Sequence, residues 1–196
     1  SINASATIIA TGPSEATKLV NHGESASLNE WAQMAVPVRA ACLDLALKHL
    51  PEPNSIFALG IDAPLYFSVH SATAQLAPEG AAVIHAAKYL SSESSIDARQ
   101  IEAELEKMIE LLQPGWRELV IERRFLPKMT VSHGLVTAMQ GGLTGRPGPE
   151  VPGVKNLFVA GDWVGPEGML ADASIASAKL AAEMVLSKEN YRSAAA

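Results

Sequence analysis

Cysteine is almost absent: Cys42 is the single one among 196 residues. One thiol can close no internal disulfide and builds no zinc site alone, which fits a reducing, cytoplasmic setting. Basic charge is also in short supply, with 15 Lys and Arg against 21 Asp and Glu, a formal net charge of −6 at pH 7. With no basic stripe, the chain is not expected to bind nucleic acid or an anionic membrane surface, although other peripheral association with a membrane stays open. Oligomeric state leaves no mark in the sequence. The chain also opens without a methionine, signal peptide or basic leader, directly on an apolar strand, so the expectation is a piece of something longer. What is present suffices for a folded body: 48% hydrophobic and 18% charged residues argue against a disordered, collagen-like or disulfide-stapled chain. The 14 Gly and 12 Pro are near ordinary frequency, which argues against a long linker or low complexity.

Ala6 to Gly12 reads as a buried strand of an α/β sheet, stopped by Gly12-Pro13. Residues 14–20 then read as a short helix capped near Ser14, and residues 21–29 as polar loop. Pro37 suits the first turn of a helix whose apolar face takes Val38, Ala41, Cys42, Leu45, Ala46 and His49 at i, i+3, i+4, i+7, i+8 and i+11, ended by Pro51 and Pro53. Residues 55–60, 65–71 and 82–90 read as strands of a mostly antiparallel sheet, because their connections are too short for helical crossovers. Ser94 with Asp97 forms a capping signal for the clearest amphipathic helix, running through Ile101, Leu105, Met108, Ile109 and Leu112 to Pro114-Gly115. Residues 119–125 read as another strand and 141–153 as a Gly/Pro-rich connection.

The last unit is the most informative. Asn156 to Ala160 is a buried strand, Gly161 to Gly168 a glycine turn, and residues 170–186 a helix of about 17 residues, roughly 25 Å long at 1.5 Å per residue. Such a unit makes an anion or cofactor site, because free N–H groups and the positive end of the helix dipole face the turn. Gly161-Asp-Trp-Val-Gly165-Pro-Glu-Gly168 has too long a first gap for the dinucleotide spacing G-x-G-x-x-G, and no Lys-Ser/Thr pair follows to make a phosphate loop. That leaves an acid, Asp162, at the carboxyl end of a strand, set to accept hydrogen bonds from the hydroxyls of a ligand along the helix start.

Lys155-Asn-Leu-Phe-Val-Ala-Gly-Asp-Trp163 followed by Leu170-Ala-Asp-Ala-Ser-Ile-Ala-Ser-Ala178 resembles the C-terminal flavin motif of the phytoene desaturase (phytoene dehydrogenase-like), protoporphyrinogen oxidase and amine oxidase group of FAD-dependent oxidoreductases. The resemblance is strong over residues 154–186 and weaker elsewhere. It implies that Asp162 holds the ribityl hydroxyls, and that the backbone of Leu170, Ala171 and Asp172 faces the flavin N1 and O2 atoms, where a helix dipole would stabilise charge on the reduced ring. It further implies that Thr11 and Gly12, with Gly161, lie beside the cofactor. The implied fold is α/β, α+β overall: a partial Rossmann-like FAD-binding domain from residues 1–30 and 131–196, and a substrate domain over 31–130 with a mostly antiparallel sheet and helices. Ala173 and Ala178 depart mildly from the glycines frequent in the group. The pyrophosphate-binding fingerprint is missing, so the resemblance is to the C-terminal portion of such an enzyme, with FAD held weakly or not at all by this portion alone. Relatives that tether flavin use a cysteine near this motif; none is present, so the FAD is expected to be non-covalent.

Plainer readings stand beside these. Asp162 also suits a turn or helix cap, Asp172 a first-turn acid, Gly165 and Gly168 a tight turn, and Thr11-Gly12 a strand end. His70, His85 and His133 share no metal-ligand spacing on one element, so hydrogen-bonded structural histidines are expected and no metal site; His85, alternating with Val83, Ala87 and Tyr89, suits a substrate face. Arg123 and Arg124 read as sheet-edge or ion-pair residues and Cys42 as a buried inert thiol. No residue qualifies as a general base, so no catalytic residue is named. The function expected is hydride removal from a C–H bond of an apolar small-molecule substrate to FAD. The alternative is a non-catalytic α/β binding or scaffold module of the same ancestry; a nicotinamide-binding domain is disfavoured by the missing fingerprint.

Overall fold

The computed structural model describes residues 2–20, 25–91 and 97–194. The chain divides into two compact units, one from Ser1–Pro37 with Val131–Ala196 and one from Val38–Thr130.

In the first unit, β1 (Thr7–Ile9) and β7 (Leu157–Val159) pair in parallel, Thr7 opposite Leu157 and Ile9 opposite Val159. Helix α1 (Pro13–Leu19) starts one residue before the expected cap: Gly12 is the N-cap and Pro13 the first helical residue, so the fixed proline φ and not a serine side chain begins the helix. Residues 25–34, expected to begin as loop, instead hold α2 (Ala26–Met34), capped by the Ser25 hydroxyl accepting from Leu28 N at 3.4 Å. This helix is too short to persist on propensity. It is held by Leu28, fully buried with Ala16, Ile9, Val159 and Trp163 in the core of the unit, with Trp31 packed against them. Helix α4 (Ala171–Ala194) follows β7 through the glycine turn.

The second unit is a five-stranded sheet in the order β3-β4-β5-β2-β6, from β2 (Val38–Leu47), β3 (Phe57–Leu59), β4 (Leu65–Val69), β5 (Ala82–Leu90) and β6 (Val120–Ser132). The expected strands over 55–90 form as antiparallel partners. The expected helix after Pro37 does not form: residues 38–47 are the strand β2, antiparallel to β5 with Asp44 opposite His85. Leu43, Leu45 and Leu47 line the face under α3 (Ala98–Leu112), while Ala40 and Cys42 are buried on the other, so apolar residues on both faces erase the strand alternation and imitate a helical stripe. Helix α3 ends where expected and buries Ile101, Leu105 and Ile109 on the sheet, each contributing about 1.5–3 kcal/mol. Its N-cap is Asp97, which accepts from Arg99 N at 3.0 Å and Gln100 N at 3.1 Å; Ser94 lies outside the described residues. Strand β6 runs past the expected end at Phe125 as far as Ser132, and tolerates Pro127 because it is an edge strand.

Candidate flavin cradle

At the carboxyl ends of β1 and β7 lies a cavity of about 390 Å³, within the first unit. Ligands in α/β sheets sit in just such a crevice. Its walls come from four places: Val131 and His133 at the end of β6, Thr11 and Gly12 after β1, Gly161 and Asp162 after β7, and Leu170 and Ala171 at the start of α4. The last three pairs are six of the seven cofactor residues expected from the sequence. The seventh, Asp172, is not in the wall, and its N–H is taken by Met169 O at 3.2 Å.

The two turns are tied together. Ala160 N donates to Ile9 O at 3.0 Å, and Trp163 Nε1 to Thr11 O at 2.9 Å. A methyl group on Gly161 would come within 2.8 Å of Trp163 Nε1, so only glycine lets the indole cross the turn. Ser177, almost fully buried on α4, accepts from Gly161 N at 3.0 Å and fixes the helix against the strand end. At the helix start, Leu170 adopts a left-handed φ of 54°, rare for a branched side chain and costing of order 1–3 kcal/mol. The N–H groups of Leu170 and Ala171 have no partner among the described residues, so two donors and the positive dipole end line the cavity.

Asp162 is 8% exposed and is not alone. Its Oδ2 accepts the backbone N–H of His133 at 2.8 Å and its Oδ1 accepts from His133 Nδ1 at 3.0 Å. His133 is therefore a hydrogen-bonded histidine, as expected, but its partner is the central acid of the site. The sequence carried no signal for this pairing, since the two residues lie 29 positions apart on different elements. The imidazole also explains Gly12: a methyl group there would stand 2.4 Å from His133 Cδ2 and 2.7 Å from Nε2.

A second cavity of about 230 Å³ in the same unit is walled by Trp31, Met34, Val36, Leu135 and Trp163, with Arg146 among its polar groups. Arg146 Nη1 donates to Gly168 O at 3.0 Å, steadying the glycine turn. In the other unit, His85 Nδ1 is hydrogen-bonded to Asp44 and its ring stacks on His70 with centroids 5.2 Å apart. Burial, and secondarily the charge of Asp44, pushes the Cys42 thiol up to about 11. Arg123 pairs with Glu102 at 2.7 Å and Glu106 at 2.6 Å. Among the described residues no cluster of His, Cys, Asp and Glu could hold a metal ion, and no helix is long and apolar enough to cross a membrane.

No protein-family model and no curated protein matches the chain. Solved structures do. An oxidoreductase from Methanosarcina mazei is 17% identical with a TM-score of 0.61, over 96% of this chain and 43% of that one. A reduced UDP-galactopyranose mutase is 10% identical with a TM-score of 0.66, over 94% and 42%. A putative protoporphyrinogen oxidase from Exiguobacterium sp. 255-15 is 15% identical with a TM-score of 0.61, over 96% and 42%. The chain thus spans less than half the length of each of these proteins and, over nearly all of its own length, shares their fold, with the mixed α/β character expected.

Proposed function

We propose that the chain is the C-terminal, flavin-facing portion of an FAD-dependent oxidoreductase of the phytoene dehydrogenase-like type. The observation that carries this reading is the meeting, in one cavity, of the Asp162 carboxylate with the unengaged N–H groups of Leu170 and Ala171. The fit has a chemical logic. An ionised carboxylate with one bond to each oxygen keeps lone pairs for ligand hydroxyls, while the open helix end favours an electron-rich edge. Gly12, Gly161, Ala171, Ser174 and Ala178 keep the walls small enough for a planar ring to approach the backbone.

In the complete enzyme, Asp162 would hold the ribityl hydroxyls, the Leu170 and Ala171 amides would face N1 and O2, and Thr11 with Gly12 would border the ring. When bound, FAD supplies the two-electron acceptor for a C–H bond of an apolar substrate, and the protein's part is mainly binding and orientation. Asp172 is given no contact, since its amide is already spent. The unit from Val38–Thr130 would serve as the substrate domain. Because a cavity of this size accommodates only part of FAD and no G-x-G-x-x-G loop is present for the pyrophosphate, the 196-residue chain should bind the cofactor weakly.

An absorbance spectrum of the full-length gene product tests the reading, followed by a screen for substrates that bleach it anaerobically. A flavin spectrum that bleaches supports an oxidoreductase. A colourless full-length protein that gains no flavin on reconstitution favours the binding or scaffold module.

A further inference from the structure

We propose that His133 is the positioning residue of this cradle and its second hydrogen-bond acceptor, fixing the Asp162 carboxylate and offering Nε2 to a ligand hydroxyl; this rests on the flavin reading. His133 is well placed for both tasks. It follows the last residue of β6, and the Ser132 hydroxyl lies 3.3 Å from both Gly134 N and Gly134 O, a local turn that fixes the backbone around it. From there it grips Asp162 with its backbone N–H and its ring, one donor on each carboxylate oxygen. A carboxylate held at one oxygen can still swing about its side-chain torsions; held at both, it keeps one orientation toward the cavity.

The ring's chemistry follows from that grip. An ionised carboxylate only accepts, so Nδ1 carries the proton, and a neutral imidazole then has a bare Nε2 that can only accept. Nε2 has no hydrogen-bond partner among the described residues and sits against Gly12 in the cavity wall. The cradle is therefore polar in a directed way. Asp162 and His133 Nε2 supply acceptors at the strand ends, and the Leu170 and Ala171 amides supply donors at the helix start. The ligand class that satisfies both is a polyol joined to an electron-rich planar edge, with adjacent hydroxyls shared between carboxylate and imidazole.

The test uses the 196-residue chain labelled with 15N, with FMN added to millimolar concentration to reveal weak binding. The His133 ring is assigned by its loss in His133→Asn. The expected free-state signature is a protonated Nδ1 and a bare Nε2. On titration, the Nε2 resonance should move together with the Gly161 and Ala171 amides. His133→Asn retains a donor near the Nδ1 position but has no Nε2, so its FMN affinity should fall about threefold to tenfold, the worth of one hydrogen bond. His133→Ala, which also frees Asp162, should lose more. If the amides move but Nε2 does not, or if His133→Asn binds as tightly as the parent, His133 is only structural and this inference fails while the flavin reading stands. If neither amides nor ring respond, this inference fails, and the flavin reading is decided separately by the spectrum of the full-length protein. The ring measurement needs only the unmodified fold, so it remains decisive if the alanine variant does not fold.

Discussion

Trp163 donates its indole N–H to the carbonyl oxygen of Thr11 at 2.9 Å, joining positions 152 residues apart in the chain. This bond closes the floor of the cradle by locking the turn after β7 to the turn after β1. Trp163→Phe keeps most of the buried ring, which packs with Trp31 at a centroid distance of 6.0 Å, and removes only the donor. Urea denaturation should show a loss of about 1 kcal/mol. An unchanged midpoint would show that the bond contributes nothing to the floor.

Gly12 gives a sharper perturbation. Its φ of −63° suits any residue, so Gly12→Ala adds no backbone strain and acts through the methyl group, which is driven against the His133 imidazole and, at 2.8 Å, against Glu15 Oε2, the end of a flexible side chain that can swing away. We expect a destabilisation of about 1–3 kcal/mol in thermal unfolding, with the ring displaced from Asp162. A variant with parent stability and parent imidazole 15N shifts would contradict the close approach.

Gln113 anchors the second unit. Fully buried, it accepts from Glu52 N at 2.9 Å through Oε1 and donates through Nε2 to Glu52 O at 2.9 Å and Ser55 O at 2.8 Å. Gln113→Met preserves volume and breaks all three bonds, so a loss of about 2 kcal/mol is expected in denaturant. Gln113→Glu should be worse above neutral pH, because an ionised carboxylate facing two carbonyl oxygens has no donor to offer.

Cys42 sets a pH dependence with a definite sign. Its thiol is raised in the folded state from 9.0 to about 11, chiefly by burial. Between these values the unfolded chain releases a proton that the folded chain keeps, so stability falls as pH rises through that window and is unaffected below it. Cys42→Ala should flatten this part of the stability profile. In the native protein at pH 8, iodoacetamide should leave Cys42 unmodified by intact mass and should label it in denaturant.

Much of this organisation is legible in the sequence, for identifiable reasons. The α3 stripe, the β7 strand and the glycine turn carry local signals that the fold preserves. Residues 38–47 mislead because Ala40, Ala41 and Cys42 are small and apolar on both faces of a central strand, where pairing with β5 outweighs the helical spacing. Helix α2 hides because its reason to exist is the burial of Leu28 against α1, a tertiary fact. Asp162 stands out by position alone, yet its partner does not. His133 reaches it only because β6 runs to Ser132, further than its own apolar pattern indicates.

The most direct measurement of the central claim is the flavin content of the full-length protein with Asp162→Ala, compared with its parent after identical purification and a check by circular dichroism that both are folded. A cradle built on Asp162 requires the variant to lose most of its flavin, with affinity down about tenfold or more for the lost charge-assisted hydrogen bonds. Equal flavin content in a folded variant would remove Asp162 from the site and contradict the account.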